Sequence, residues 1–234
     1  ITVTSANDVP SFTSGGDVTV LEDAGSQTVT GWATAISSGP ANEAGQVLSF
    51  QVTGNTNAGL FNGNVTVDAG SGDLTFTPAD DANGTADITL VLGDDGGVAN
   101  GGVDTSGSQT FRITVTSAND VPSFTSGGDV TVLEDAGSQT VTGWATAISS
   151  GPANEAGQVL SFQVTGNTNA GLFNGNVTVD AGSGDLTFTP ADDANGTADI
   201  TLVLGDDGGV ANGGVDTSGS QTFRITVTSA NDVP

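Results

Sequence analysis

The sequence predicts an all-β chain folded as two β-sandwiches in tandem. Three observations carry that prediction. The first is repetition: Ile1–Pro10 recurs at Ile113–Pro122 and at Ile225–Pro234, and everything between repeats without one difference, so the period is 112 residues. The second is a series of short runs in which apolar and polar residues alternate, as in a strand with one buried face. The third is the set of glycine- and asparagine-rich turns that separates those runs.

A unit of 112 residues is long enough to close its own core. It matches one immunoglobulin-type sandwich of about 100 residues, whereas solenoid repeats run to roughly 20 to 50. Each unit is therefore expected to fold alone as a seven-stranded Greek-key sandwich, the two forming an extended rod. In the first copy the strand-like runs are Asp17–Leu21, Thr28–Ala35, Val47–Val52, Val65–Val67, Leu74–Thr77, Ala86–Leu92 and Thr110–Thr116. Inward positions are Val18, Val20, Leu48, Phe50, Val52, Leu74, Phe76, Ile88, Leu90, Leu92, Phe111, Ile113 and Val115. Threonine fills most outward positions, where β-branching suits a strand and the hydroxyl suits water. Trp32 breaks the alternation beside Gly31, which predicts a bulge or bend with the indole in the core. Asn62–Gly63, Asn83–Gly84 and Asn100–Gly101 mark turns. No stretch has helical periodicity.

The last run straddles the repeat junction. The expected domains are thus 9–120 and 121–234, with residues 1–8 the last strand and linker of a preceding copy, poorly packed or paired with a neighbour.

The chain has two basic residues, Arg112 and Arg224, against 27 acidic ones, no histidine and a net charge of −25. Nucleic acid and anionic membrane surfaces, which need a basic face, are excluded as partners. The acids instead suit an external hard cation, of which calcium is the usual one for oxygen ligands. The absence of cysteine excludes disulfides, zinc–thiolate sites and thiol catalysis. Without His, Cys or Lys, a serine nucleophile has no partner to activate it, and an enzyme is not expected.

The acids are grouped: Glu22–Asp23, Glu43, Asp80–Asp81, Asp94–Asp95, and Asn7–Asp8 or Asn119–Asp120 at the junctions. Adjacent carboxylates repel by about 1 kcal/mol at about 4 Å in water, a cost that a shared cation removes. The isolated Asp17, Asp68, Asp73 and Asp104 are read instead as ordinary surface aspartates that solubilise the chain or cap the backbone at turns.

Several of these segments resemble the cadherin-like repeats of large bacterial calcium-dependent adhesins. Thr89–Gly97 (TLVLGDDGG) resembles that family's A-x-D-x-G region. Gln109–Thr116 followed by Ser-Ala-Asn119-Asp120-Val-Pro122 resembles its last strand and linker. Val20-Leu-Glu22-Asp23 resembles its x-E-N segment, and Ala79-Asp80-Asp81 stands where D-R-E belongs. The resemblance implies Ca2+ bound between successive domains. Its ligands would be Glu22, Asp80 and Asp81 from the first domain, Asn119 and Asp120 from the linker, and Glu155, Asp206 and Asp207 from the second. Half-sites would remain at Asn7, Asp8, Glu43, Asp94 and Asp95, and at Glu134, Asp192, Asp193, Asn231 and Asp232. Glu155 stands alone where the family has two aspartates, which implies fewer ions per junction. The expected function is a calcium-rigidified spacer on a bacterial cell surface. Adjacent identical repeats would be its partners, in a monomer without direct membrane contact. The alternative is a carbohydrate-binding or homophilic adhesion module.

Overall fold

The computed structural model describes residues 1–231. The chain divides into two compact units, Ile1–Ser117 and one beginning at Ala118. The division falls ahead of the expected boundary at 120 because Asn119 and Asp120 bond forward, to residues of the second unit. In the segment expected to be left over, residues 1–6 are exposed and form no strand.

The first unit contains β1 (Ser11–Thr13), β2 (Val18–Leu21), β3 (Gln27–Val29), β4 (Thr34–Ser37), β5 (Ser49–Asn55), β6 (Thr66–Val67), β7 (Leu74–Phe76), β8 (Gly84–Gly93) and β9 (Gln109–Thr116). One face is the sheet β2-β9-β8-β5; β3-β7-β6 and the pair β1-β4 supply the other strands. β2 runs parallel to β9, with Val18 opposite Ile113, and β9 runs antiparallel to β8, with Gly84 opposite Val115. The second unit repeats this arrangement as β10 (Ser123–Thr125) through β18 (Gln221–Thr228). The only helical segments among the described residues are 3-10 turns, such as Ala41–Glu43 and Ala58–Leu60.

The sequence missed β1 because Ser-Phe-Thr holds a single apolar residue. It also drew one strand over Thr28–Ala35 where the structure has β3 and β4. Gly31 sits at φ 61°, a conformation that a continuous strand excludes, while Ala35 at φ 49° is an irregularity within β4. The Gly31 N–H donates to Asp73 Oδ1 at 2.7 Å, which pins the break. The break turns Trp32 inward, where it is 5% exposed. Its ring lies 4.3 Å from that of Phe111, and its Nε1 donates to the Gly16 carbonyl at 3.0 Å.

Leu74, Ile88, Leu90, Leu92 and Ile113 are 0% exposed, as their alternation predicts. Phe12 and Phe50 meet edge to face across the sheets at 4.9 Å. Gln109 straps β1 to the start of β9: its Nε2 donates to the Phe12 carbonyl and its Oε1 accepts from the Ser14 N–H. Val18, Val20, Leu48 and Phe50 are half-buried against the core. Val52 corrects the inward assignment, being 40% exposed. It stands on edge strand β5, next to the register shift between Val52 and Gly54, with no strand on its outer side.

Of the isolated aspartates, Asp17, Asp68 and Asp73 accept backbone N–H groups, whereas Asp104 Oδ1 accepts from the Thr105 hydroxyl. Asp17 Oδ1 accepts from the Arg112 N–H, and Asp68 Oδ1 accepts from the N–H groups of Gly70 and Ser71. The Ser71 N–H, with its hydroxyl, holds the Asp68 carboxyl below its ordinary value of 3.8. A depressed folded pKa adds stability above the unfolded value that is lost as pH falls through the folded one. Asp68→Asn should therefore flatten the acid limb of stability below about pH 4, as urea unfolding across pH would show. Gly72 closes the same turn at φ 76°, and a Cβ there would run into the Ala33 carbonyl. Gly72→Ala should cost more than about 1 kcal/mol in denaturant unfolding.

Candidate metal-binding poles

The strand register places the acids at opposite ends of each sandwich. Glu22 follows β2 and its N–H donates to the Thr116 carbonyl at the end of β9. Asp80 and Asp81 precede β8, whose start faces that same end. Asp94 and Asp95 follow β8 and so lie at the other end, together with the linker that enters the unit.

In the second unit this upstream pole gathers Asn119, Asp120, Glu155 and Asp206. The Asn119 Nδ2 donates to Asp206 Oδ1 at 3.0 Å and to the Val215 carbonyl at 2.8 Å. Its Oδ1 accepts from Gln158 Nε2 at 2.6 Å. The Asp120 N–H donates to Glu155 Oε1 at 2.9 Å. Asp207 stands one step aside, its Oδ1 accepting from the Val159 N–H. Glu155 is 7% exposed, and its 3-10 turn is held by Ser150 Oγ donating to its carbonyl. Among the buried oxygens of this pole, Glu155 Oε2, Gln158 Oε1 and Asp206 Oδ2 have no hydrogen-bond partner.

The first unit builds the same pole from Asn7, Asp8, Glu43, Gln46 and Asp94. Asn7 Nδ2 donates to Asp94 Oδ1, and the Asp8 N–H to Glu43 Oε1. Asp95 Oδ1 accepts from the Val47 N–H. The unpartnered atoms are again the matching ones, Glu43 Oε2, Gln46 Oε1 and Asp94 Oδ2.

At the downstream pole Glu22 is 3% exposed, and its Oε2 accepts from Asn83 Nδ2. Asp23 Oδ1 accepts from the Asp81 N–H at 3.1 Å. A carboxylate oxygen of each aspartate lies within 4.8 Å of one on the other. Both residues sit at positive φ, 56° and 54°, a conformation that aspartate tolerates better than most side chains. Asp80 is exposed and is not tied to this group by any side-chain bond. In the second unit Glu134 accepts from Asn195 Nδ2 and from the Ala230 N–H. Asp135 accepts from the Asp193 N–H, while Asp192 is exposed. Asn231 is exposed, and Asp232 lies outside the described residues.

Sequence reasoning missed Asp23, Asn83 and Gln46 with their counterparts Asp135, Asn195 and Gln158. The pairing of Asp23 with Glu22 was a usable signal for the first. Nothing local marks a neutral Gln46 or Asn83.

The donors at both poles are carboxylate, amide and carbonyl oxygens, which fit calcium or another hard cation. No imidazole or thiolate exists in the chain to favour zinc or copper. Arg112 is occupied by Asp87, Nε to Oδ1 at 2.7 Å, a solvated cross-strand pair away from the poles. Trp32 and Trp144, each 5% exposed, offer no stacking face to a sugar.

Among solved structures the chain is similar to human protocadherin-24 EC1-2, at 15% identity and a TM-score of 0.54, covering 96% of this chain and 100% of that one. It is also similar to extracellular cadherin domains 1–5 of protocadherin gamma B2, at 16% identity and a TM-score of 0.53, covering 98% of this chain and 42% of that one. The fold defines a protein of tandem cadherin-type β-sandwiches. The chain belongs to the family described as lipoprotein associated domain, whose profile matches residues 35–117 and 148–229, more than half of its length. A comparison with curated proteins finds no match. No helix among the described residues is long and apolar enough to cross a membrane.

Proposed function

We propose that the chain is a pair of calcium-rigidified spacer repeats from a large bacterial cell-surface adhesin, with Ca2+ held where successive repeats join. The observation that carries this reading is the pair of buried carboxylate oxygens without a donor at the upstream pole of each unit, Glu155 Oε2 and Asp206 Oδ2 in the second. A buried charge left uncompensated is costly. No lysine or histidine is present to compensate it, and Arg224 is engaged by Asp199. Calcium supplies that positive charge when bound. Glu155, Asp206, Asp207 and Asp120 would hold it from the following repeat, and Glu22, Asp80, Asp81 and the newly recognised Asp23 from the preceding one. The role is extracellular and mechanical rather than catalytic, with adjacent identical repeats as the partners of each domain.

Calorimetric titration of calcium into the chelator-stripped chain tests this. Saturable binding is expected, weakened by Asp120→Ala, with a maximum dimension in small-angle scattering that differs between calcium and chelator. Absence of binding heat together with an unchanged dimension overturns the reading.

A further inference from the structure

Each unit holds three Asn-Gly pairs: Asn62–Gly63, Asn83–Gly84 and Asn100–Gly101 in the first, Asn174–Gly175, Asn195–Gly196 and Asn212–Gly213 in the second. In such a pair the glycine nitrogen can attack the asparagine side-chain carbon, because no Cβ shields it. The attack needs an unengaged amide and a backbone able to swing the nitrogen over. It also needs surroundings that tolerate the negative charge that nitrogen carries once its proton has left. The fold grants these unequally.

At Asn83 the amide is engaged and a charge adjoins it. Its Nδ2 donates to Glu22 Oε2 at 3.2 Å, so a carboxylate lies beside the reacting carbon. Gly84 is already the first residue of β8, in register with Val115. Asn195 repeats this with Glu134 and Val227. At Asn100 and Asn212 the backbone is locked. They sit in the left-handed region, at φ 58° and 59°, inside 3-10 turns whose Gly102 and Gly214 N–H groups donate to the Ala99 and Ala211 carbonyls. Asn100 Nδ2 also donates to the Ser5 carbonyl at 3.3 Å.

Asn62 meets all the conditions. Asn62 and Gly63 are exposed, as are Asn174 and Gly175. Among the described residues, no hydrogen bond engages the Asn62 or Asn174 side chain; the anchor is the Asn62 N–H, on the Thr77 carbonyl at 2.8 Å. A Cβ on Gly63 would meet nothing within 4 Å. Asn62 lies in Ala44–Val67, a stretch without one charged residue in a chain of net charge −25, and the facing Leu74–Ala79 carries none either. Repulsion of the nitrogen anion is therefore weakest here.

We infer that Asn62 and its counterpart Asn174 are the sites where this protein spontaneously converts an amide into a carboxylate. The Gly63 nitrogen loses its proton to hydroxide and bonds to Asn62 Cγ. The Cγ–Nδ2 bond breaks, and the amide nitrogen takes a proton from water and leaves as ammonia, restoring the hydroxide. Water then opens the succinimide at either of its two carbonyls, giving aspartate or isoaspartate. No electrons are exchanged, and water is the co-reactant. Each event adds a negative charge to an uncharged stretch, and isoaspartate lengthens the main chain by a carbon ahead of β6.

The test incubates the full chain with EGTA in mildly alkaline buffer, folded and in urea, then cleaves it at acidic residues for mass spectrometry. Because the copies are identical, each position and its counterpart give one signal. In the folded chain the Asn62/Asn174 signal should convert at least ~5-fold faster than Asn83/Asn195, the factor of one adjacent carboxylate in water. It should also run ahead of Asn100/Asn212. In urea, where the three pairs share one dipeptide, the gap should close. Asn62→Gln with Asn174→Gln, whose longer side chain closes a ring far more slowly, should remove the early acidic form seen in anion exchange. Circular dichroism checks that this variant stays folded. Folded-state conversion no faster at Asn62/Asn174 than at the other pairs, or a gap of equal size in urea, overturns the inference. The chelator keeps this test separate from the calcium titration.

Discussion

Trp144→Ala, made in the second repeat alone, is expected to split thermal unfolding into two transitions. The two copies are identical in sequence and each closes its own core, so the parent chain should melt at one midpoint. Trp144 is 5% exposed, its ring lies 4.3 Å from that of Phe223, and its Nε1 donates to the Gly128 carbonyl. Truncating such a residue removes about 3–5 kcal/mol. That should lower the midpoint of the altered domain by at least about 10 °C, while the first domain melts where it did. Differential scanning calorimetry reads both. A single transition displaced as a whole would mean that the units unfold as one, against the independence of their cores.

The second large effect concerns Glu155→Gln, whose sign should reverse with calcium. Glutamine keeps an oxygen to accept the Asp120 N–H but carries no charge. In chelator the variant should be the more stable protein, because it removes a buried carboxylate oxygen with no donor. In calcium the order should invert. Ligand at 100 times its dissociation constant adds about 2.7 kcal/mol to the parent. The variant should bind at least 10- to 100-fold more weakly, the loss typical of even an outer-shell partner. Melting curves of both proteins in chelator and in calcium check this. Curves that keep one order in both buffers would remove the charge argument on which the proposed function stands.

Much of the fold was legible because a strand with one buried face writes itself into the sequence with period two. Leu90, Leu92 and Ile113 could be placed inward from their alternation alone, and all are 0% exposed. Trp32 could be read as a core residue at a bend because Gly31 stands beside it. The two-way split of that strand was not legible, since it depends on Asp73, 42 residues downstream, reaching back to the Gly31 N–H. Val52 failed for the opposite reason. Its alternation is correct, but burial also requires a neighbouring strand, and β5 is an edge.

By itself the sequence determined the repeat, the all-β class, the buried stripe of each long strand, and an excess of carboxylate that no internal cation balances. Those properties are local or additive: periodicity, composition and charge need no fold to be counted. Only the tertiary structure decided which oxygens are buried without a donor, that Asp23 joins Asp81, and that Asn119 is fastened by Asp206, Val215 and Gln158. Each of these depends on segments tens of residues apart meeting at one end of a sandwich, and strand register, which sets that meeting, is fixed by core packing and not by any residue's immediate neighbours.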